Sequence, residues 1–233
     1  MSLPRSPSSG GLQHIDDHLV FEQAVARYLQ PGAVALDAGA GRGERYRYDY
    51  SSLGVRVVGV DVDPAVADNP NMAERVIADL AALPFAEATF DLVFSKYVFE
   101  HLDRPRNTFR GLRRVMKPGG HLVFHTPNLH HYVAWGAMLT PQRFHVWFNG
   151  KRGCDASDLF PTRYKANDRK TIRRLAAEAG FRTLSLELIE PRPDYLFFHP
   201  LAHRAGLAYE RLVNSTERLA GLRCVVVGDL VAI

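Results

Sequence analysis

Short apolar runs alternate with stretches of helical periodicity along most of the chain, and this alternation limits the folds that it can adopt. Runs that are apolar at successive positions are typical of strands covered on both faces, which occur mainly in parallel sheets. The helical stretches supply the crossovers that such a sheet needs. The first five predicted strands are Ala33–Leu36, Arg56–Val60, Arg75–Ala78, Phe90–Phe94 and His121–His125. We therefore expect an open, mostly parallel α/β sheet with helices on both faces.

The predicted helices follow from apolar residues three and four positions apart and from residues that end helices. Residues 15–29 form the first one, which Pro31 and Gly32 terminate. The other predicted elements are a helical stretch from Glu44, a helix over 107–116, a helix capped by Asn167 or Asp168 and ended by Gly180, a sixth strand over 181–190, a helical stretch over 201–219 and a seventh strand over 224–233.

A single domain is the simplest organisation for residues 15–233. Residues 1–14 are rich in serine, proline and glycine, which predicts a disordered tail. Residues 129–167 interrupt the alternation directly after the fifth strand with an aromatic-rich segment and a polar loop. We expect this segment to be an insertion or lid that contributes to the site of a second ligand.

Composition excludes several classes of protein. The 233 residues are 46% hydrophobic and 23% charged, which is unlike a disordered or fibrous chain. No apolar stretch approaches the length of a membrane-spanning helix, and no secretory signal is visible, so we expect a cytoplasmic protein. Cys154 and Cys224 are far apart and lack metal-ligand spacing, which argues against a zinc module and a disulfide scaffold.

Positive charge is concentrated in the second half of the chain. Residues 129–233 contain 15 Lys and Arg against 10 Asp and Glu, whereas residues 1–128 contain 14 against 15. This excess is either a solvated basic face or an attraction for an anionic substrate or surface. Aromatic and basic residues do not alternate as in a nucleic-acid groove, so nucleic acid is not an expected partner.

A glycine-rich turn, DAGAGRGE at 37–44, directly follows the first predicted strand. Glycine permits a tight turn and a close approach of a ligand to the backbone, which indicates a nucleotide-like ligand. The dinucleotide fingerprint would need a third glycine at position 44, which is Glu44, so pyrophosphate is disfavoured. We expect Asp37 to point into the same cleft, where its charge repels a phosphate and attracts an amino group.

Acidic residues end the second and third predicted strands. Asp61 lies about 20 residues after the glycines, where a carboxylate can hold two ribose hydroxyls. Asp79 can accept a hydrogen bond from an adenine amine, while Leu80 and Val62 sandwich the ring. Each aspartate alone could be only a helix cap, but their order and spacing favour a nucleoside site.

Four ordered motifs lie within residues 15–128: ALDAGAGRG, VVGVDVDP, ADLAALPFAEATFDLVFS and RVMKPGGHLVFHTPN. Together they resemble class I S-adenosylmethionine-dependent methyltransferases, particularly the broad group that includes quinone-biosynthesis methyltransferases. The resemblance implies a Rossmann-like, seven-stranded, mostly parallel sheet, with the aromatic-rich insertion after its fifth strand. It also implies S-adenosylmethionine as the cofactor.

The resemblance also implies cofactor contacts for individual residues. These are Asp37, Gly39 and Gly41 for the methionine part, Asp61 for the ribose, Asp79 and Leu80 for the adenine, and Ser95 and Lys96 through their backbone. The family's usual threonine or serine in the glycine-rich turn is Arg42 here. This departure bears on the contacts to the methionine carboxylate.

Methyl transfer depends mainly on alignment and desolvation, but a base helps when the acceptor is a hydroxyl. His101 follows the fourth strand and is our catalytic candidate, although it could instead cap or pack its helix. His125, His130 and His131 follow the fifth strand, and the last two suit a surface position better. A metal site at Glu100 and His101 lacks a further ligand at recognisable spacing, so we expect no metal.

The insertion has three interpretations. Its aromatic residues either cover the active site for an apolar acceptor, fill ordinary core, or form an interfacial membrane contact with Arg143, Lys151 and Arg152. The basic residues also suit an anionic group on the acceptor. We predict methyl transfer to a small molecule, with oxygen preferred as the acceptor atom. The alternatives are a nicotinamide-dependent oxidoreductase and a non-catalytic cofactor-binding protein.

Overall fold

The computed structural model describes residues 5–6, 14–43, 54–139 and 160–233. The strands are β1 (Arg5–Ser6), β2 (His14–Ile15), β3 (Val34–Ala38), β4 (Arg56–Asp61), β5 (Glu74–Ile77), β6 (Phe90–Lys96), β7 (Met116–Pro127), β8 (Phe181–Ile189) and β9 (Val225–Ala232). The helices are α1 (Asp17–Ala26), α2 (Pro105–Val115), α3 (Tyr132–Leu139), α4 (Arg169–Ala179) and α5 (Pro200–Asn214), with short 3-10 turns between elements.

Seven strands form one sheet in the order β5-β4-β3-β6-β7-β9-β8. The first five in this order are parallel, while β9 runs antiparallel to both β7 and β8. The predicted seven-stranded, mostly parallel sheet is therefore confirmed. The order changes direction between β3 and β6, and open sheets of this kind bind ligands beyond the strand ends at such a point.

Alternate residues of the central strands face two separate cores. Leu36 and Phe124 belong to the core beneath α2 and α4, whereas Ala35 and Val123 belong to the core beneath α1. This period of two is the pleat of a strand, and it explains why the runs are apolar at successive positions. The prediction of helices on both faces of the sheet is confirmed.

The helix ends follow their sequence signals. The Asp168 side chain accepts a hydrogen bond from the Thr171 N–H, and Gly180 ends α4 in the left-handed region at φ 88°. Asp16 caps α1 in the same way, by accepting from the Leu19 N–H at 3.0 Å. Capping side chains satisfy main-chain groups that a helix cannot pair internally.

Helix α1 runs antiparallel to β7. Its first residue, Asp17, contacts His125 near the end of β7, with 2.7 Å between Oδ2 and Nε2. Tyr28, just beyond the end of the helix, stacks on His121 earlier in the same strand, with ring centroids 3.6 Å apart. The start of α1 consequently lies at the edge of the sheet where the parallel strands end.

Some predicted segments fall outside the described residues. These are the helical stretch from Glu44 to residue 53 and residues 140–159 of the insertion. The disordered tail and the boundaries of the single domain also stay predictions. Within the proposed tail, Arg5–Ser6 pairs with His14–Ile15.

Candidate active site

A cavity of about 400 Å³ opens at the ends of β3, β4 and β6. It lies where the strand order changes direction, and its volume is within the range of small-molecule sites. The glycine-rich turn and strand-end acids form one wall, and the segment after β6 forms another. The lining residues include Gly39, Gly41, Asp61, Val62, Asp79, Leu80, Tyr97, Val98, His101, Arg104 and Phe160.

The glycine-rich turn is bound to the end of β4. The N–H groups of Gly39 and Ala40 donate to the Val60 carbonyl at 2.8 and 3.1 Å. Gly39 has a φ of 90°, and a Cβ built there would lie 2.1 Å from Cγ2 of Val98. Glycine is required at this position because both its backbone conformation and its packing exclude a side chain.

The Asp61 carboxylate is fixed at the cavity wall by two main-chain donors. Oδ2 accepts from the Gly41 N–H and Oδ1 accepts from the Asp63 N–H, each at 2.9 Å. A carboxylate oxygen has two lone pairs, so each oxygen can accept one further hydrogen bond. The side chain therefore has the capacity to hold two hydroxyl groups of a ligand.

Asp79 is bound on both of its oxygens. Oδ1 accepts from the Ala81 N–H at 2.8 Å, and Oδ2 pairs with the Arg104 guanidinium at 3.1 Å. Nearby, Leu80 is buried, whereas the Val62 side chain is 55% exposed. The structure thus brings the predicted ribose and adenine residues to one cavity, with an arginine that the sequence reading did not include.

Three of the residues with predicted cofactor contacts are not among those that line the cavity. For Ser95 and Lys96 the predicted contacts are through the backbone, and they stay predictions. The side chain of Asp37 is fully buried, because it shares the sheet face of Ala35, which α1 covers. Ser95 donates from Oγ to the Ala38 carbonyl at 2.8 Å. Lys96 is also buried, with Nζ 3.9 Å from Glu22 Oε1. Asp37 is therefore not among the residues that line the cavity, and its contact with the cofactor stays a prediction.

His101 lies on the cavity wall beside Phe160. Nδ1 is 3.2 Å from the Pro161 carbonyl, and the two aromatic rings meet edge-on with centroids 6.0 Å apart. Nε2 is 4.0 Å from Oε1 of the buried Glu100, whose Oε2 accepts a hydrogen bond from Thr126. Within the described parts of the chain, no cluster of three or more His, Cys, Asp or Glu side chains is arranged to hold a metal ion.

A cluster of aromatic rings that was not predicted from the sequence lies next to the cavity. Tyr97 lines the cavity and has a φ of 57°, which is rare for a residue with a side chain. Its ring contacts His125 edge-on at a centroid distance of 4.6 Å. His18 stacks on His125 at 5.6 Å. No local signal could have joined these residues, because 107 positions separate His18 from His125 along the chain.

The two ends of the insertion differ in their relation to the cavity. Phe160 lines it, whereas Trp135 in α3 is 54% exposed and is not part of the lining. Tyr132 in α3 is also exposed and is not part of the lining. The other aromatic and basic residues of the predicted insertion lie outside the described residues; they are Arg143, Phe144, Trp147, Phe148, Lys151 and Arg152.

Helices long and apolar enough to span a bilayer do not occur among the residues that the structure describes.

Comparison with known proteins identifies a shared domain. Residues 36–124 match the family described as a methyltransferase domain. The chain is 30% identical over 199 residues to 24-methylenesterol C-methyltransferase 2 of Oryza sativa subsp. japonica, which covers 80% of this chain and 52% of that protein. It is 42% identical over 66 residues to malonyl-[acyl-carrier protein] O-methyltransferase of Hahella chejuensis, covering 28% and 24%. The chain spans about half or less of the length of these relatives.

Solved structures share the fold. Geranyl diphosphate C-methyltransferase from Streptomyces coelicolor A3(2) superposes with a TM-score of 0.56 at 17% identity, covering 91% of this chain and 76% of that chain. Phosphoethanolamine N-methyltransferase 2 of Haemonchus contortus gives a TM-score of 0.56 at 18% identity, covering 90% and 51%. At such identities the likeness extends to the fold alone.

Proposed function

We propose that this chain, which belongs to the class I S-adenosylmethionine-dependent methyltransferases, transfers a methyl group from that cofactor to a small-molecule acceptor. The observation that carries the proposal is the contact between Asp61 and Gly41, which sets a carboxylate against the glycine-rich turn inside the cavity. When bound, S-adenosylmethionine supplies a methyl group on a cationic sulfur.

The residues of the cavity fit this cofactor. Asp61 would hold the ribose hydroxyls, since each carboxylate oxygen keeps a lone pair beyond its main-chain bond. Asp79 would accept from the adenine amine, with Leu80 against the ring. A Cβ at Gly41 would meet no atom within 4 Å, so the turn leaves open space at its surface. A ligand could therefore approach this backbone closely.

The same contacts disfavour a dinucleotide. A pyrophosphate binds to free main-chain N–H groups of a glycine-rich turn, but the Gly41 N–H already donates to the Asp61 carboxylate. The cavity lining carries four aspartates, Asp61, Asp63, Asp79 and Asp103, against two arginines, Arg42 and Arg104, and this excess of negative charge repels phosphate. The nicotinamide-dependent alternative is therefore the weaker candidate.

We propose that the acceptor is a small molecule with an apolar body. Oxygen is the preferred acceptor atom. Val98, Tyr97 and Phe160 give one side of the cavity an apolar and aromatic lining, which supports this choice. The similar proteins act on acceptors that their names give as a sterol and a malonyl group on acyl carrier protein. An anionic group on the acceptor, a peripheral membrane contact and a cytoplasmic location stay predictions from the sequence.

His101 remains the sequence-based candidate for a base. It lies on the cavity wall, and its Nδ1 is close to a main-chain carbonyl. A carbonyl accepts only, so Nδ1 would carry the hydrogen and Nε2 would be the basic nitrogen.

Isothermal titration calorimetry tests the proposal directly. We expect S-adenosylmethionine and S-adenosylhomocysteine to bind, and NAD not to bind at millimolar concentration. The reverse result would favour the oxidoreductase. Cofactor binding without methylation of any compound in a panel of phenols, carboxylic acids, sterols and amines would favour the non-catalytic alternative.

A further inference from the structure

We propose that His18 lies at the acceptor end of the cavity and takes the proton from the methyl acceptor, with the Asp17 and His125 pair holding it in position. This inference rests on the proposed function, because it assigns a residue to the same reaction. It concerns a part of the chain that precedes the methyltransferase motifs.

Three elements bring these residues together at one edge of the sheet. The first turn of α1 carries Asp17 and His18, the residue after β6 is Tyr97, and His125 lies near the end of β7. The ring of Tyr97 is 6.0 Å from that of His18 and 4.6 Å from that of His125. Because Tyr97 itself lines the cavity, the cluster adjoins the site.

The position of the cluster relates it to the acceptor rather than to the nucleoside. Asp61 ends β4 and Asp79 lies just beyond β5, on one side of β3. Tyr97 directly follows β6 and His125 belongs to β7, on the other side of β3. A ligand whose nucleoside part is held over β4 and β5 extends its other end toward β6 and β7, so the acceptor should meet the cluster.

The pair behind His18 is rigid. Asp17 Oδ2 and His125 Nε2 are 2.7 Å apart, and both side chains are buried. Because a carboxylate accepts the bond, Nε2 of His125 carries the hydrogen. The ring of His125 is therefore fixed in orientation, and the ring of His18 stacks on it with 14° between their planes.

The groups around His18 favour its neutral form. Burial lowers the pKa of His18 and is the largest cause; Lys96 at the end of β6 and His125 in β7 also lower it. Asp16 and Asp17 on its own helix act in the opposite direction without reversing the shift. A neutral imidazole at neutral pH can accept a proton.

The step considered is the transfer of the methyl group to a hydroxyl acceptor. The acceptor oxygen forms a bond to the methyl carbon while the bond from that carbon to the cofactor sulfur breaks, and the electron pair of the broken bond stays on sulfur. The acceptor's proton moves to a ring nitrogen of His18. His18 is partly exposed, so it can pass the proton to water.

A histidine titration followed by nuclear magnetic resonance tests the position of His18 without any acceptor. S-adenosylmethionine carries a positive charge on sulfur that S-adenosylhomocysteine lacks. A charge within roughly 8 Å changes a pKa by about 0.5 to 1.5 units at a protein site. We expect the pKa of His18 to be lower by at least about 0.5 units in the complex with S-adenosylmethionine. His18→Asn assigns the resonance, and the resonance of His121, four residues before His125 in β7, should not change.

The outcomes separate this inference from the proposed function. If both cofactors bind and the pKa of His18 is the same in the two complexes within 0.1 units, the inference fails while the proposed function stands. If neither cofactor binds, the proposed function fails, and the inference fails with it. A second measurement uses an acceptor identified by the methylation panel. There, His18→Asn should lower kcat at least tenfold and remove the acidic limb of the pH profile, with the Kd for S-adenosylhomocysteine changed less than threefold. Loss of that limb in His101→Asn but not in His18→Asn would overturn the assignment.

Discussion

The carboxylate of Asp61 accepts a hydrogen bond from the main-chain N–H of Gly41 at 2.9 Å, joining the end of β4 to the turn after β3. The two residues are 20 positions apart in the sequence. One side chain therefore sets the shape of the turn and also presents its charge to a ligand. The consequences of its removal should appear in ligand affinity before they appear in the fold.

Replacing Asp61 tests this dual role. Asp61→Asn removes the charge and leaves one main-chain donor facing an amide N–H₂. Loss of a charge-assisted acceptor costs about 1.5 to 3 kcal/mol, so S-adenosylhomocysteine should bind roughly 10- to 150-fold more weakly by calorimetry. Asp68→Asn, at an exposed position, is the matched control. An affinity within twofold of wild type in a folded Asp61→Asn protein would contradict the ribose assignment.

Asp79→Asn should weaken cofactor binding less than Asp61→Asn. The Asp79 side chain is 48% exposed and shares its charge with Arg104. An adenine amine is also neutral, so the lost hydrogen bond is worth about 0.5 to 1.5 kcal/mol, or roughly 2- to 12-fold in Kd. The same calorimetric titration measures both variants. Equal losses of cofactor affinity would contradict the predicted ranking of the two sites.

The glycine-rich turn can be tested with two glycines of similar backbone conformation. Gly39 has a φ of 90° and Gly32 a φ of 85°, but a Cβ contacts Val98 only at the first and meets nothing within 4 Å at the second. Alanine at either position costs about 1 to 2 kcal/mol of backbone strain, and overpacking adds about 1 to 3 kcal/mol at Gly39. Urea unfolding should therefore show a larger loss of stability for Gly39→Ala than for Gly32→Ala.

A double variant separates the two causes at Gly39. Adding Val98→Ala to Gly39→Ala removes the methyl groups in the way, so it should recover the overpacking part of the loss and leave the strain. If the stability losses of Val98→Ala and Gly39→Ala simply add in the double variant, the contact between the added Cβ and Val98 is not the reason for the loss at Gly39.

The buried Asp17 should make the free energy of unfolding depend on pH in the acidic range. Burial raises the pKa of this carboxyl, but the hydrogen bond from His125 and the charges of His125 and His18 outweigh burial and hold the pKa below its usual value. Because the folded state favours the charged carboxylate, Asp17 stabilises the fold above about pH 3.9, the usual pKa of an aspartate in the unfolded chain. This stabilisation is lost as the pH falls through the lower pKa of the folded state. The free energy of unfolding of wild type should exceed that of Asp17→Asn by about 1.5 to 3 kcal/mol at pH 6.

The difference between wild type and Asp17→Asn should narrow below about pH 4, where the carboxyl takes up its proton. Denaturant unfolding at a series of pH values measures it. Asp68→Asn, which replaces an exposed aspartate, is the matched control variant. If the difference in free energy of unfolding between wild type and Asp17→Asn stays constant with pH, the pair with His125 does not depend on the charge of Asp17.

Phe160 should affect the acceptor more than the cofactor. It lines the cavity beside His101. Phe160→Ala removes apolar surface worth about 2 to 3 kcal/mol if it packs against the acceptor, which would raise the acceptor KM roughly 30- to 150-fold. Phe198→Ala, at an exposed position, is the control. A loss of cofactor affinity as large as that of Asp61→Asn would assign Phe160 to the cofactor instead.

The strand pattern was predictable because its cause is local. Each central strand alternates between two cores, so residues such as Ala35 and Leu36 are both apolar, and the run is visible in the sequence alone. Asp61 and Asp79 could be placed at the site for a related reason. Parallel strands end at one edge of the sheet, and Asp61 ends β4 while Asp79 lies two residues beyond β5.

Features that depend on distant packing could not be predicted. Asp37 follows the first strand as Asp61 follows the second, but the pleat turns it toward the face that α1 covers. The contact between Asp17 and His125 depends on the direction of α1 across β7, which no local pattern encodes. Sequence spacing gives the ends of elements, whereas the facing of side chains across elements is decided by the tertiary structure.

The position of β9 between β7 and β8 has a consequence for how the protein is made. Among the strands that the structure describes, β8 pairs only with β9, yet the ribosome synthesises β8 35 residues before β9. At usual elongation rates β8 waits roughly 2 to 7 s for its partner strand. During that interval its backbone groups and the open side of β7 are unpaired edges, which are prone to wrong associations. The nascent chain is therefore most in need of chaperones just before the last strand emerges.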